Sequence, residues 1–148
     1  IGLAQLERAE ELVGRKRQIF GWYADRLRGL SGIQLNPESA DTRNSYWMTT
    51  LVLDPALELP KEHVMAELSD RGIDSRPFFH PLSSIPACRG LAAASRAREI
   101  NVNAYRISPY GVNLPSALSL TEEDVDVVCR AIQEIISRSE MRSRRMAS

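Results

Sequence analysis

The sequence predicts one α/β domain of the two-layer α+β type, in which helices flank a small mixed sheet. Two observations support this fold class. Apolar residues recur at helical spacing near both ends of the chain, whereas the middle holds short runs of aromatic and β-branched residues typical of strands. With 148 residues, 43% of them hydrophobic and 26% charged, the chain also has the size and composition of a single globular domain.

The first third of the chain is predicted to contain one long helix and one short strand. The helix covers residues 1–30 and is stopped by Gly29 and Gly32. Because a surface helix buries one stripe and exposes the other, we expect an apolar stripe on one face. That stripe consists of Leu3, Leu6, Ala9, Val13, Phe20, Ala24 and Leu27. A strand at residues 33–35 and a polar loop at 36–43 follow.

The central part predicts a strand, a helix and a returning strand. The best strand covers residues 46–53, where aromatic and β-branched residues are concentrated, and Asp54-Pro55 ends it. A helix over residues 61–71 follows, and Gly72 suits the left-handed conformation that ends a helix. The next strand covers residues 73–79, and two strands joined in this way are expected to form a right-handed crossover.

The segment after this unit is less regular. Residues 83–95 are predicted to be irregular or weakly helical, and residues 101–108 to form a helix that Pro109 shortens. Residues 112–114 are predicted to form a short edge strand, because Pro115 would end its pairing.

The last helix has the clearest signals in the sequence. Thr121 and Asp124 approximate a capping box at its start, and acidic residues in the first turn favour a helix N-terminus. Its predicted buried stripe is Val125, Val128, Cys129, Ile132 and Ile136. We place the domain at residues 1–137 and expect the basic tail at 138–148 to be disordered, because it lacks apolar content.

Composition argues against several classes of function. A formal net charge of zero gives no electrostatic footprint for nucleic acid or membrane, and the apolar runs are too short to span a bilayer. The two cysteines, Cys88 and Cys129, lack Cys-x-x-Cys spacing, and His63 and His80 are the only histidines, so no zinc set is expected. We expect no metal, a reduced cytoplasmic location, and Cys129 in the core.

The most distinctive segment is residues 71–82, Arg-Gly-Ile-Asp-Ser-Arg-Pro-Phe-Phe-His-Pro-Leu, in which two prolines fix the backbone around an arginine, two phenylalanines and a histidine. Three further motifs occur with it: Asn44-Ser45-Tyr46-Trp47-Met48, Gly111-Val112-Asn113-Leu114-Pro115-Ser116 and Leu120-Thr121-Glu122-Glu123-Asp124. In this combination and order the chain resembles the DegT/DnrJ/EryC1/StrS family of sugar aminotransferases, and within it the perosamine synthetase branch.

The resemblance extends from Ile1 to about Ile136 and implies the C-terminal small domain of a fold-type I enzyme that depends on pyridoxal 5'-phosphate (PLP). Family members carry their Schiff-base lysine in a larger N-terminal domain, in a Ser-x-x-Lys-like context. The only lysines here, Lys16 and Lys61, have no serine three residues earlier, and we expect both to be solvated helix residues. The resemblance therefore implies no catalytic residue and no PLP bound by this chain alone, which should be inactive without its N-terminal PLP-binding domain.

For the parent enzyme the resemblance implies transfer of an amino group from glutamate, through PLP, to a keto group on a nucleotide-linked sugar, as in perosamine-type amino-sugar biosynthesis. It also implies a homodimer. Candidate substrate-binding residues in this chain are Arg76, His80, Phe78, Tyr46 and Trp47.

Two of these candidates are polar. The Arg76 guanidinium can bind a carboxylate or a phosphate through two parallel hydrogen bonds, and an ion pair with Asp74 is the structural alternative. His80 can donate to a sugar hydroxyl or a donor carboxylate, and the alternative is a histidine satisfied by the backbone at the Pro81 turn.

The other candidates are aromatic. Phe78 and Phe79 alternate along a strand, so one is expected to face the core and the other the cleft. Tyr46 and Trp47 open the main strand, where core packing is the simpler role and contact with the sugar the more specific one. Asn113 is expected to hold a turn through side-chain hydrogen bonds.

Two alternative functions stay open at this point. One is a sugar dehydratase of the same family, in which histidine replaces the upstream lysine, so the residue at that position decides. The other is a free-standing, non-enzymatic domain that binds a small ligand or another protein, which a start codon directly before Ile1 would favour. In addition, a domain separated from its partner is expected to expose apolar surface and to self-associate, which sedimentation at several concentrations can test.

Overall fold

A four-stranded sheet lies at the centre of the fold. The computed structural model describes residues 2–88 and 90–146, and over these ranges the strands are β1 (Ile33–Leu35), β2 (Thr49–Leu53), β3 (Arg76–Pro77) and β4 (Gly111–Leu114). The helices are α1 (Gly2–Glu7), α2 (Ala9–Arg26), α3 (Lys61–Ser69), α4 (Ala92–Ser95), α5 (Ala97–Ile100), α6 (Val102–Ile107) and α7 (Glu122–Met146). Single 3-10 turns occupy Pro55–Leu57, Leu82–Ser84 and Pro86–Cys88. The predicted combination of a small sheet with flanking helices is confirmed.

The sheet order is β1-β2-β4-β3, and each hydrogen-bonded pair is antiparallel, so the sheet is not mixed as the sequence predicted. β2 and β3 both run antiparallel to β4 and are therefore parallel to each other. The predicted strand-helix-strand unit is present as β2-α3-β3. Its two strands are not neighbours, because β4 enters the sheet between them.

β4 is a central strand, which corrects the prediction of an edge strand. It pairs with β2 through Thr49↔Leu114 and Val52↔Gly111, and with β3 through Arg76↔Asn113. All four of its residues are buried. Pro115 limits only the length of the strand, since it follows the last paired residue and removes no donor from the ladder.

One face of the sheet carries the hydrophobic core. Alternation along β2 and β4 directs Leu51, Leu53, Val112 and Leu114 to this face, where α2, α3 and α7 pack. The three helices contribute fully buried side chains, among them Ile19, Tyr23, Val64, Leu68, Val125, Ile132 and Ile136. The opposite face carries the buried side chains of Thr50 and Asn113, and it faces the short helix α6 across a cavity.

The predicted first helix is divided in two and buries a different stripe. α1 ends at Glu7 and α2 begins at Ala9, and Leu3 and Leu6 on α1 are each 71% exposed. The buried positions of α2 are Ile19 and Tyr23, and Leu27, which follows the helix, continues their four-residue spacing. The buried residues of α2 thus lie in its C-terminal half, whereas the apolar residues at the start of the predicted stripe do not pack against the core formed by the described residues.

Two predicted strands are shorter than expected. β2 begins at Thr49 because Tyr46 adopts a positive φ of 48°, which no strand can contain. β3 is reduced to two residues because the Ile73 N–H donates to Leu68 O at the end of α3, and Pro77 has no N–H to donate. Gly72 has a φ of 73°, so its predicted left-handed conformation is confirmed.

α7 agrees with the prediction over its apolar length. The Thr121 N–H donates to Asp124 Oδ2 at 2.9 Å and the Asp124 N–H donates to Thr121 Oγ1 at 3.2 Å, which is the predicted capping box. Cys129 is buried, and burial raises the pKa of its thiol to about 12. The helix continues to Met146, where the sequence predicted disorder from Arg138, because no Gly or Pro interrupts residues 122–146. Ala147 and Ser148 lie outside the described residues.

The segment between β3 and β4 is less densely packed. Its helices α4, α5 and α6 have four to six residues each, and Ala97 and Ser108 are the buried residues at 97–108. The predicted irregular stretch at 83–95 and the helix at 101–108 agree with this arrangement. Among the residues that the structure describes, no helix is both long and apolar enough to cross a membrane.

Two adjacent threonines in β2 provide a matched test of buried hydroxyls. Thr49 Oγ1 is buried without a hydrogen-bond partner in the described part of the chain, whereas Thr50 Oγ1 donates to Asn113 Oδ1 at 2.8 Å. Thr49→Val is expected to raise the free energy of unfolding by about 1 kcal/mol, because it removes an unsatisfied polar group. Thr50→Val is expected to lower it by about 1–2 kcal/mol, because Asn113 loses its donor. Urea unfolding followed by circular dichroism measures both, and effects of the same sign would contradict the assignment.

Candidate functional site

The face of the sheet opposite the core borders a cavity of about 870 Å³. Its walls come from β1 and β2 on one side, through Gln34 and Thr50, and from α6 on the other, through Asn103 and Arg106. Phe78, just beyond β3, forms part of the wall between them. A cavity of this size, lined by apolar surface and a few polar groups, suits a small-molecule ligand.

Asn113 connects three strands beneath this face, which corrects its predicted role in a turn. It lies in the centre of β4, where its Oδ1 accepts from Thr50 Oγ1 and its Nδ2 donates to Pro77 O at 3.4 Å. The side chain is 3% exposed, so its polar groups need these partners. Asn113 therefore holds β2 and β3 against β4 next to Thr50 and Phe78, which line the cavity.

Three aromatic rings form a row that leads out of the cavity. The Phe78 and Phe79 rings meet edge to face with their centroids 5.9 Å apart, and the Phe79 and Trp47 rings are nearly parallel, at 14°, with centroids 6.2 Å apart. Phe78 is half-buried, whereas Phe79 and Trp47 are each 58% exposed. The sequence predicted that one phenylalanine faces the core, and this is wrong, because the pair lies on the outer face. Of the five candidate residues, the structure brings Phe78 and Trp47 together, linked by Phe79.

Tyr46 and Trp47 point to different sides of the same turn. Tyr46 has the left-handed φ of 48° and is buried, with its ring stacked on Phe20 at a centroid distance of 3.6 Å. Its N–H donates to Asn44 Oδ1 at 2.9 Å. A positive φ in a bulky residue is strained and persists only where several contacts hold it. The strain at Tyr46 allows the next residue, Trp47, to project onto the outer face.

Two cations of α2, which sequence reasoning assigned no role in the site, hold this turn. Lys16 Nζ donates to Trp47 O at 2.9 Å and to Ser116 O. Arg17 donates to Asn44 O at 2.5 Å, and its guanidinium carbon lies 5.3 Å from the centroid of the Tyr46 ring. The sequence signal for this role is the run of three consecutive cations, Arg15-Lys16-Arg17. Successive residues of a helix point in different directions, so the three side chains cannot all lie on the solvent-facing side.

Glu38 completes this network. It accepts from Arg17 through both oxygens, at 2.7 and 2.9 Å, and from the Asn44 N–H at 2.6 Å. The hydrogen bond from Arg17, followed by the one from Asn44, lowers the pKa of Glu38 from 4.5 to about 2. The charged carboxylate is thus favoured in the folded protein, and the Asn44–Trp47 turn is fixed by it.

The network predicts a specific pH dependence. Because the pKa of Glu38 is lower in the folded than in the unfolded chain, its contribution to stability is present above pH 4.5 and is lost as the pH falls towards 2. Glu38→Gln is expected to lower stability at pH 7 and to remove this part of the acid sensitivity. The difference in free energy of unfolding between the two proteins, measured from pH 6 to pH 2, should therefore shrink on acidification. A difference that stays constant with pH would contradict the role of Glu38.

Arg76 and His80 stand apart from the aromatic row. Arg76 Nη2 lies 3.2 Å from Asp74 Oδ2, which is the ion pair considered as the structural alternative. Both side chains are largely in solvent, at 72% and 80% exposure, so the pair is weak and Arg76 can exchange it for another anion. His80 is exposed, and its side chain makes no hydrogen bond to any part of the chain that the structure describes.

The two lysines are not solvated, contrary to the prediction. Lys61 is 3% exposed and its Nζ donates to Ser108 O at 2.6 Å, at the C-terminal end of α6. Lys16 is half-buried, and burial lowers the pKa of its amine. Lys61 lies in the first turn of α3, where the positive end of the helix dipole repels a cation. A lysine in this unfavourable position is a sequence signal for a specific bonding partner. Within the described residues, no group of three His, Cys, Asp or Glu side chains could hold a metal ion.

Comparison with known proteins identifies a family to which this chain is similar. The sequence profile described as the DegT/DnrJ/EryC1/StrS aminotransferase family matches residues 1–133. The GDP-perosamine synthase of Vibrio cholerae is 36% identical over 133 residues, which is 90% of this chain and 35% of that protein. The chain therefore spans about a third of the length of this relative.

Two solved structures share the fold. DesI, determined in the presence of its TDP-sugar product, superimposes with a TM-score of 0.79 at 19% identity, covering 100% of this chain and 37% of that one. The PLP-form of Spr1654 from Streptococcus pneumoniae superimposes with a TM-score of 0.77 at 22% identity, covering 93% and 34%. Both align with the whole two-layer arrangement of sheet and helices described above.

Proposed function

Because the chain belongs to the DegT/DnrJ/EryC1/StrS aminotransferase family, whose members are PLP-dependent sugar aminotransferases, we propose that it is the C-terminal part of such an enzyme. The reaction proposed is transfer of an amino group from glutamate to the keto carbon of a nucleotide-linked sugar, as in perosamine-type synthesis. The observation that carries the proposal is the family match over residues 1–133, in a chain equivalent to 35% of the Vibrio cholerae GDP-perosamine synthase.

The residues of this chain do not suit covalent attachment of PLP. A Schiff base needs a lysine whose amine is accessible and unprotonated in part of the population. The Lys61 amine is buried on Ser108 O, and the Lys16 amine donates to Trp47 O and Ser116 O. Both amines are thus already engaged by backbone carbonyls, and that of Lys61 is also buried. We therefore assign the catalytic lysine and the phosphate site to a polypeptide segment outside these 148 residues, and we assign the chain alone no activity.

The proposed contribution of this chain is one wall of the active site. The outer face of the sheet supplies the cavity, the aromatic row and, at the start of β3, the exposed guanidinium of Arg76. A guanidinium suits the carboxylate of glutamate or the diphosphate of a nucleotide sugar. We also propose that the parent enzyme is a homodimer and takes the amino group from glutamate, as the resemblance to the family implies.

A chimera tests the proposed function. The segment of the Vibrio cholerae GDP-perosamine synthase that aligns with this chain, 35% of that protein, is replaced by residues 1–133. We expect the chimera to form 2-oxoglutarate from glutamate when a nucleotide-linked keto sugar is supplied. The truncated relative alone and the 148-residue chain alone are the controls, and both should be inactive.

The outcomes separate the fold from the activity. A chimera that binds PLP, as its absorbance spectrum reports, and yet transfers no amino group to any nucleotide-linked keto sugar would contradict the proposal. Turnover by the 148-residue chain alone would contradict the assignment of the catalytic lysine to another segment. The dehydratase alternative is decided separately, by the residue at the Schiff-base position upstream of this chain, because the chimera carries the residue of the relative there.

A further inference from the structure

We propose that Trp47 and Phe79 form a stacking surface for the base of a nucleotide. This inference rests on the proposed function and goes beyond it, because it assigns the base, and not the sugar or the amino donor, to a defined pair of side chains. The rings are called the aromatic platform below.

The first observation is the exposure of the platform. Each of the two side chains is 58% exposed, so their mutual contact covers less than half of either one. Their planes are within 14° of parallel. Two nearly parallel rings that are each more than half exposed offer flat apolar surface, to which a planar heterocycle binds better than an aliphatic group of equal size.

The second observation is that the platform is held in place. Trp47 follows a residue with a strained backbone, and four groups fix that turn: Lys16, Arg17, Glu38 and Asn44. An exposed tryptophan gains nothing for the fold from such constraint. A binding surface does gain, because a side chain that is already ordered loses less conformational entropy when the ligand arrives.

The third observation is what lies beside the platform. Phe79 contacts Phe78, and Phe78 forms part of the wall of the 870 Å³ cavity, so a ligand stacked on the platform can extend into that cavity. Arg106 lies in the opposite wall, and among the described residues it has no carboxylate partner, only Asn103 Oδ1 at 3.2 Å. A nucleotide matches this arrangement, because it joins a planar base to an anionic diphosphate.

Trp47 can report on this surface directly. The chain contains two tryptophans, and Trp22 is half-buried on α2, so Trp22→Phe leaves Trp47 as the single source of tryptophan emission. Guanosine diphosphate is titrated into this variant, and inorganic pyrophosphate and ribose 5-phosphate serve as probes that lack the base. We expect saturable quenching by guanosine diphosphate, and weaker or no quenching by the two probes at equal concentration.

Phe79→Leu in the Trp22→Phe background separates stacking from general apolar contact. Leucine keeps apolar volume at an exposed position and removes the ring. We expect guanosine diphosphate to bind about five-fold to 150-fold more weakly, which is the range for loss of a base-stacking ring. Val127→Ala, at a 49% exposed position on α7, which packs against the opposite face of the sheet, is the matched control and should leave the affinity unchanged.

Three results would overturn the inference: no saturable quenching by guanosine diphosphate, quenching of equal strength by pyrophosphate, or unchanged affinity in Phe79→Leu. The last would indicate an anion site without a platform. These failures are distinguishable from failure of the proposed function, because the chimera can still transfer amino groups when the base binds elsewhere. An active chimera with a Phe79→Leu substitution that leaves the KM for the sugar nucleotide unchanged would place the error in the platform alone.

Discussion

Replacing Gly111 by alanine is expected to lower the free energy of unfolding by about 3 kcal/mol, at the upper end of the range for overpacking. An added Cβ would lie 2.4 Å from Phe78 Cβ and 2.9 Å from Phe78 Cγ. Phe78 Cβ and Cγ lie next to the backbone, so a change of rotamer cannot move both of them out of the way. The Phe78 N–H also donates to Gly111 O at 2.9 Å, which fixes the backbone of Phe78. The substitution must therefore move β3 away from β4 or displace Phe78 from the cavity wall.

Gly14→Ala is the matched control for this substitution. Gly14 lies inside α2, and apart from neighbouring atoms of its own helix no atom lies within 4 Å of an added Cβ. Alanine is a better helix former than glycine, so this variant is expected to gain about 0.5–1 kcal/mol. Urea unfolding of both variants should thus give shifts of opposite sign. A Gly111→Ala protein as stable as the parent would show that Phe78 is not held against β4.

Replacing Arg76 by alanine in the chimera is expected to reduce kcat/KM by about one-hundred-fold, equivalent to about 2.7 kcal/mol of lost transition-state stabilisation. The proposed reason is that Arg76 exchanges its weak, exposed ion pair with Asp74 for an anion of the substrate. Arg76→Lys keeps the charge without the paired donors and should recover only part of the activity. Steady-state kinetics with varied glutamate and varied sugar nucleotide identify which substrate is affected, from the KM that changes.

Two control variants address the alternative that Arg76 only stabilises the fold. Asp74→Asn removes the same ion pair and should leave kcat/KM nearly unchanged. Arg28→Ala removes another exposed arginine that is paired with an aspartate, Asp25, at 2.7 Å, but lies outside the site. Equal losses in Arg76→Ala and Asp74→Asn would contradict a substrate-binding role.

The parts of the fold that follow from local rules could be predicted from the sequence. The capping box at Thr121, the apolar stripe of α7 and the left-handed Gly72 each depend on a few neighbouring residues. The central position of β4 could not be predicted, because it depends on which strands lie on either side. A short buried strand and a short edge strand have similar compositions, and Pro115 pointed to the wrong one.

Only part of the candidate site could be predicted, because the rest also depends on which elements become neighbours in the fold. The proline-pinned segment and the Asn44–Met48 segment could be identified as unusual, but the approach of Phe79 to Trp47 depends on the sheet order. The engagement of Lys16 and Lys61 could not be predicted either, since their partners are backbone carbonyls about a hundred and about fifty residues further along the chain. Backbone acceptors carry no signature in the side-chain sequence, and a lysine is exposed in most proteins.

The measurement that tests the central claim most directly is a PLP titration of the 148-residue chain. Any imine is trapped with borohydride, and the labelled lysine is mapped by mass spectrometry. Because both amines are held by backbone carbonyls, we predict no saturable capture at a single site. Stoichiometric labelling of Lys16 or of Lys61 would contradict this account, since it would make the chain a self-contained PLP protein and not one wall of a larger active site.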